Sequence, residues 1–79
     1  MGLVITRKRD DKVIIVHKPT GTFVKIMLVE VRGSTARIDF EDKTKTFLIE
    51  RDEIVKKRDY DKKDVVYKYL ESEKWKRTN

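Results

Sequence analysis

Apolar and polar positions alternate in short blocks over residues 3–51, with the period of a strand rather than a helix. Leu3-Val4-Ile5-Thr6 is short and β-branched, and Arg9-Asp10-Asp11-Lys12 breaks it as a turn. Val13-Ile14-Ile15-Val16 predicts a second strand. Lys18-Pro19-Thr20-Gly21 predicts a turn, because Pro presets φ at its second position and Gly suits its fourth. A longer third strand is expected over Phe23 to Val31. Gly33-Ser34 fits a two-residue hairpin loop, with Gly supplying positive φ. Ala36 to Phe40 alternates strictly, with Ala36, Ile38 and Phe40 facing inward. A polar loop, Glu41-Asp42-Lys43-Thr44, precedes a fifth strand, Thr46 to Ile49.

The third strand carries apolar residues on both faces: Phe23, Met27, Val29 and Val31 on one, Val24, Ile26 and Leu28 on the other. A free-standing sheet needs only one such face. A second layer is therefore expected, and a second copy of the chain could supply it.

After Arg51 the pattern changes period. Asp52 to Lys57 has helical composition, and a further helix is expected over Val65 to Lys76, capped by Asp61 or Asp64. Val66, Tyr69 and Leu70 form a narrow apolar stripe, and Trp75 falls off it. Lysines and acids are mixed along the tail, as on a solvated helix. The β-region accounts for its own burial through a dimer, so residues 61–79 are expected to be dispensable for folding and dimerisation.

Length and composition narrow the picture. A chain of 79 residues makes one small domain, and such domains usually need staples or oligomerisation. There is no cysteine, and His17 is the one histidine, so disulfides and the usual zinc sites are excluded. No cofactor is expected. The longest apolar run, Ile26-Met27-Leu28-Val29, is too short to span a bilayer, so no membrane partner is expected. No hydrophobic signal core is evident at the start, and the expected location is the cytoplasm.

Catalysis finds little support. His17 stands beside a predicted turn with no nucleophile in view, Ser34 is accounted for by its turn, and three glycines form no phosphate loop. The net charge of +6 is a better lead, being compatible with nucleic acid. Ile5-Thr6-Arg7-Lys8 and Ile49-Glu50-Arg51 each alternate as strands and each carry an arginine. Side by side, they would place Arg7 and Arg51 on one basic edge. Arginine suits phosphate and base edges because its planar fork donates in pairs. Basic residues also serve to blunt exposed sheet edges, and that use competes with the first.

Three segments in order resemble the carbon storage regulator family (CsrA-like). They are Leu3-Val4-Ile5-Thr6-Arg7-Lys8, Val31-Arg32-Gly33-Ser34-Thr35-Ala36-Arg37-Ile38 and Ile49-Glu50-Arg51-Asp52-Glu53-Ile54. The resemblance runs from Leu3 to about Lys57. It implies a mainly β fold of five short antiparallel strands in a strand-exchanged homodimer, followed by a C-terminal helix or helices. The first and fifth strands would each pair with strands of the partner. Residues 1–58 would form the β-domain with the start of the helix, and 59–79 a charged helical extension.

The implied function is post-transcriptional regulation. The protein would bind messenger RNA leaders, or small regulatory RNA, at GGA-type sites and modulate translation or decay. The implied contacts lie along strand one of one protomer and strand five of the other: Ile5, Thr6, Arg7, Lys8, Ile49 and Arg51, with Lys43 in the loop before strand five. The resemblance also implies a protein partner for the tail, since some relatives bind a flagellar assembly protein through a C-terminal extension. The chain departs from the family at Asp10-Asp11, where Gly-Glu is usual, and at Glu41-Asp42-Lys43-Thr44, which replaces Asn-Ala-Pro with about one extra residue. Two acids there would repel phosphate. The alternative reading follows from that loop: a protein-interaction module on the same dimer fold that has lost GGA binding.

Overall fold

A computed structural model describes residues 3–78, with side chains described through Lys74. Five strands are followed by two helices among these residues: β1 (Leu3–Arg7), β2 (Lys12–His17), β3 (Phe23–Met27), β4 (Ala36–Phe40), β5 (Phe47–Arg51), α1 (Asp52–Lys56) and α2 (Tyr67–Thr78). All strand pairs are antiparallel, and they form two separate sheets. One is the ribbon β1-β4, and the other is ordered β3-β2-β5.

β2 is the centre of the larger sheet because Val13-Ile14-Ile15-Val16 is β-branched throughout and can be buried on both faces. Val13, Ile14 and Val16 are essentially inaccessible. The tight turn before β2 closes on Asp11, whose carboxylate accepts from the Lys8 N–H at 2.8 Å, with Asp10 at φ +70°.

That turn also ends β3 early. Leu28 exchanges backbone hydrogen bonds with it, its carbonyl accepting from Asp10 at 2.7 Å and its N–H donating to Asp11 at 3.0 Å. β2 begins at Lys12, opposite Met27, so the chain beyond Leu28 has no strand to pair with. The expected strand to Val31 therefore stops at Met27. No hairpin forms at Gly33-Ser34, since β3 and β4 lie in different sheets, although Gly33 does adopt positive φ, +91°. The turn after β2 sits one residue earlier than expected: the His17 carbonyl accepts from Thr20 and from Gly21.

The core lies on one face of the larger sheet. Ile14 and Val16 pack with Val55 from α1 and with Val66, Tyr69 and Leu70 from the tail, flanked by Phe23, Leu48, Tyr60 and Val65. The narrow stripe is thus sufficient because the sheet provides the opposing wall. Burying Val66 and Leu70 stabilises by about 1.5–3 kcal/mol each. Both candidate capping acids close turns ahead of α2, Asp61 accepting from the Lys63 N–H at 2.8 Å and Asp64 from the Val66 N–H at 3.0 Å. Asp64 is the nearer, and its carbonyl accepts from Tyr67, the first residue of the helix, at 3.0 Å.

Val66, Tyr69 and Leu70 of the tail are therefore part of the core, which argues against the expectation of a dispensable tail. The reason is geometric: the sheet face that the tail covers belongs to the same chain. Trp75 falls outside the residues whose side chains are described.

A polar cluster pins α2 in place. Tyr69 donates its hydroxyl proton to Asp52 and lies 3.1 Å from Glu73. Lys25 bridges to Glu73 at 2.9 Å, and Lys56 to Asp52 at 3.2 Å. Burial would raise the Glu73 carboxyl, but the Lys25 hydrogen bond and the Lys56 charge hold it below its ordinary value. No helix among the described residues is long and apolar enough to cross a membrane.

Candidate nucleic-acid interface

β1 pairs only with β4, and β5 only with β2, among the described residues. Each strand thus keeps one edge without a partner strand, although on β5 the Phe47 and Arg51 N–H groups donate to the carboxylates of Asp42 and Glu50 at 2.9 and 3.0 Å. Apolar surface accompanies these edges. On the ribbon Leu3 and Val4 are each 47% exposed, and Phe47 at the start of β5 is 41% exposed. On the face of the larger sheet opposite the core Val13 is buried, but its β3 neighbours are open, with Val24 at 57% and Ile26 at 39%.

The predicted contact residues separate into two groups. In β1, Leu3, Ile5 and Arg7 share one face and lie opposite Phe40, Ile38 and Ala36. Ile5 is 4% exposed and Arg7 is 6% exposed. Arg7 makes a bidentate pair with Glu53 at 2.8 and 2.9 Å and donates to the Lys12 carbonyl at 3.3 Å. The Glu53 hydrogen bond raises the guanidinium above its ordinary pKa in spite of burial. The same bond lowers the Glu53 carboxyl to about 2. Thr6 and Lys8 are exposed, and Thr6 on the opposite face lies beside Arg37, also exposed.

Arg51 differs from Arg7 in every respect. It is exposed at the end of β5, opposite Val13, and none of the carboxylates described lies within ion-pair distance. Glu53 stands between the two arginines electrostatically, paired with Arg7 while its charge is also favoured by Arg51. Within one protomer the structure brings Arg7 to Glu53, not to a shared edge with Arg51.

Ile49 and Lys43 do come together. They line a hollow of about 410 Å³ with Ile15, Phe40 and Phe47. Asp42 organises the loop beside it: its carboxylate accepts from the Phe47 N–H at 2.9 Å and from the Thr44 hydroxyl at 2.9 Å. The Phe47 bond lowers the Asp42 carboxyl. Its charge is thus directed into the loop, leaving Lys43 and Lys45 exposed outside together with Glu41, which also lines the hollow.

Among the described residues there is no group of three His, Asp or Glu side chains that could hold a metal ion. His17 Nδ1 lies 2.8 Å from the Thr20 hydroxyl, and its ring is 5.2 Å from that of Phe47. This pairing ties the imidazole to its own turn rather than to a carboxylate.

Comparison with family models, curated proteins and solved structures found no match. The site is therefore read from its own geometry. Two features lie outside the residues expected from the sequence. Glu53 as the partner of Arg7 requires the β5–α1 junction to return beside β1, across 46 positions, and no local signal carries that. Arg37 does have a signal, the strict alternation in Ala36 to Phe40, which places it outward.

Proposed function

We propose that the chain is an RNA-binding post-transcriptional regulator acting as a strand-exchanged homodimer. The open edge of β1 in one protomer joins the open edge of β5 in its partner, giving the sheet order β4-β1-β5-β2-β3 twice. The observation that carries this reading is the topology: the chain forms two separate sheets, and β1 and β5, the strands exchanged in the family the sequence resembles, each stand at the edge of a different one, as β4 and β3 do on the far sides.

Shape supports it. The protomer extends 38 × 35 × 17 Å, with a radius of gyration of 13.3 Å. A compact domain of this length has a radius near 11.6 Å, by the usual scaling, so the single chain is unusually open. Its accessible surface is 6200 Å². A compact monomer of the same mass exposes about 5000 Å². The difference is the order of what each partner loses in a specific interface.

In that dimer Arg51 of β5 stands next to Thr6 and Lys8 of the partner strand. Their exposed donors, with Lys43 at the mouth of the hollow, offer phosphate and base contacts to a GGA-type leader sequence. Arg7 serves a different end, holding the β5–α1 junction through Glu53.

The neutralised Arg7 favours a second reading, a protein-interaction module on the same dimer that has lost GGA binding. A gel shift with a GGA hairpin separates the two. Binding that weakens with salt supports the regulator. No shift, from a protein that dimerises, supports the interaction module.

A further inference from the structure

The tail does more than close the core. Between the β2–β3 turn and the segment leading into α2 lies a cleft of about 180 Å³. Lys18, Lys62, Lys63 and Lys68 line it, together with Tyr67. All four lysines are exposed. The acid at this cleft, Asp64, is paired with Arg58 at 2.9 Å. None of the four lysines has a carboxylate within ion-pair distance among the described residues. The Lys68 stem lies on Gly21, where a Cβ would come within 3.3 Å of its Cδ. Gly21 has φ +74°, so this close approach depends on a glycine.

The cleft is continuous with the interface described above. Lys18 also lines a hollow with Lys45, Phe47 and Ile49, and its ammonium is 3.5 Å from the Lys45 carbonyl. A basic track thus runs from the start of β5, through Lys45 and Lys18, to Lys62, Lys63 and Lys68.

We propose that this cleft binds the phosphate backbone of single-stranded RNA flanking the sequence held at the β1–β5 edge. The inference rests on the RNA-binding reading and extends it to the tail. Lysines are point-charge donors that accept phosphate without requiring a particular base. Tyr67 offers a face on which a base can stack. The cleft adds affinity and length preference, not sequence preference. An acidic peptide would also be attracted, but the continuity of the track with the sheet edge favours a strand that occupies both.

The test compares the full chain with its K62Q/K63Q/K68Q variant. Two probes are used: a minimal GGA hairpin, and the same hairpin with single-stranded flanks. The variant removes three phosphate-binding charges. For the flanked RNA the slope of log affinity against log salt should therefore fall by about 2, and the affinity by about tenfold at low salt. The minimal hairpin should bind as before. Unchanged slope and affinity for the flanked RNA would overturn the proposal. Arg51→Ala weakens both RNAs, so failure of the edge is distinguishable from failure of the cleft. If the unmodified chain binds neither RNA, tripolyphosphate followed by amide NMR decides the cleft separately. Shifts at Gly21 and 62–68, absent in the triple variant, support phosphate binding there, and no shifts overturn it. A poly-glutamate peptide that moves these amides when tripolyphosphate does not would also overturn it.

Discussion

The two sheets of this chain differ in how much of their surface the chain itself covers. The β3-β2-β5 sheet is closed on one face by Val55, Val66, Tyr69 and Leu70. The β1-β4 ribbon is covered only in part: Ile5 and Arg7 are buried, while Leu3 and Val4 stand half exposed. The first region has the makings of a small independent core. The second is a ribbon of two strands, and a two-stranded unit is marginal in water without further packing. The difference separates two roles: the tail covers the larger sheet, and the ribbon is the surface that the proposed dimer would complete.

The largest expected effect breaks the closed side. Tyr69→Ala removes the largest fully buried side chain among the described residues and the hydroxyl shared with Asp52 and Glu73. It should cost about 3–5 kcal/mol, comparable to truncating a buried aromatic. Urea unfolding measures it, and a loss under about 1 kcal/mol would show that the tail does not hold the sheet.

The two arginines sharpen the comparison next. Arg7→Ala should cost about 1–3 kcal/mol of stability, because the bidentate pair made by the buried guanidinium is broken. Half of Glu53 remains in water, which places the value toward the lower end. Arg51→Ala should leave stability unchanged and lose about 1–3 kcal/mol of RNA affinity. Paired melting and binding curves for the two variants check this, and the assignment fails if the effects are exchanged.

The open part of the second face gives a smaller effect. Ile26→Asp places a charge at an exposed position on the side of the larger sheet opposite the core. It should weaken dimerisation roughly tenfold or more, about 1.4 kcal/mol, while far-UV circular dichroism stays the same. Equal dissociation constants for variant and parent would show that this face takes no part in association.

Acid should expose the Arg7–Glu53 pair. Glu53 titrates ordinarily near 4.5 and is lowered to about 2 in the fold. A lowered carboxyl contributes stability that is full above its unfolded value and is lost as pH falls through its folded value. Melting temperatures should therefore drop between about pH 4.5 and pH 2, and Glu53→Gln should flatten that drop. Identical acid profiles for the two proteins would assign the loss to other groups.

The strand blocks are legible in the sequence because β-branched runs separated by Asp, Gly and Pro leave few alternatives. The stripe Val66, Tyr69, Leu70 is legible too, with Asp64 among its candidate caps. What the stripe packs on is not, since Ile14 and Val16 lie some fifty positions away and nothing local encodes the pairing. The end of β3 escapes a local reading for the same reason: Val29 and Val31 have strand character, but the ladder stops where β2 begins. At the candidate site, Arg51 reads as exposed from sequence and structure alike. Arg7 reads as its equal in sequence, and only the return of Glu53 separates them.

The mass of the protein in solution at low micromolar concentration tests the central claim most directly. Each chain weighs 9.5 kDa. Light scattering should give twice that mass, held by the β1 and β5 edges of two copies. A folded, cooperative species at the mass of one chain would contradict the strand-exchanged dimer and, with it, the composite RNA edge.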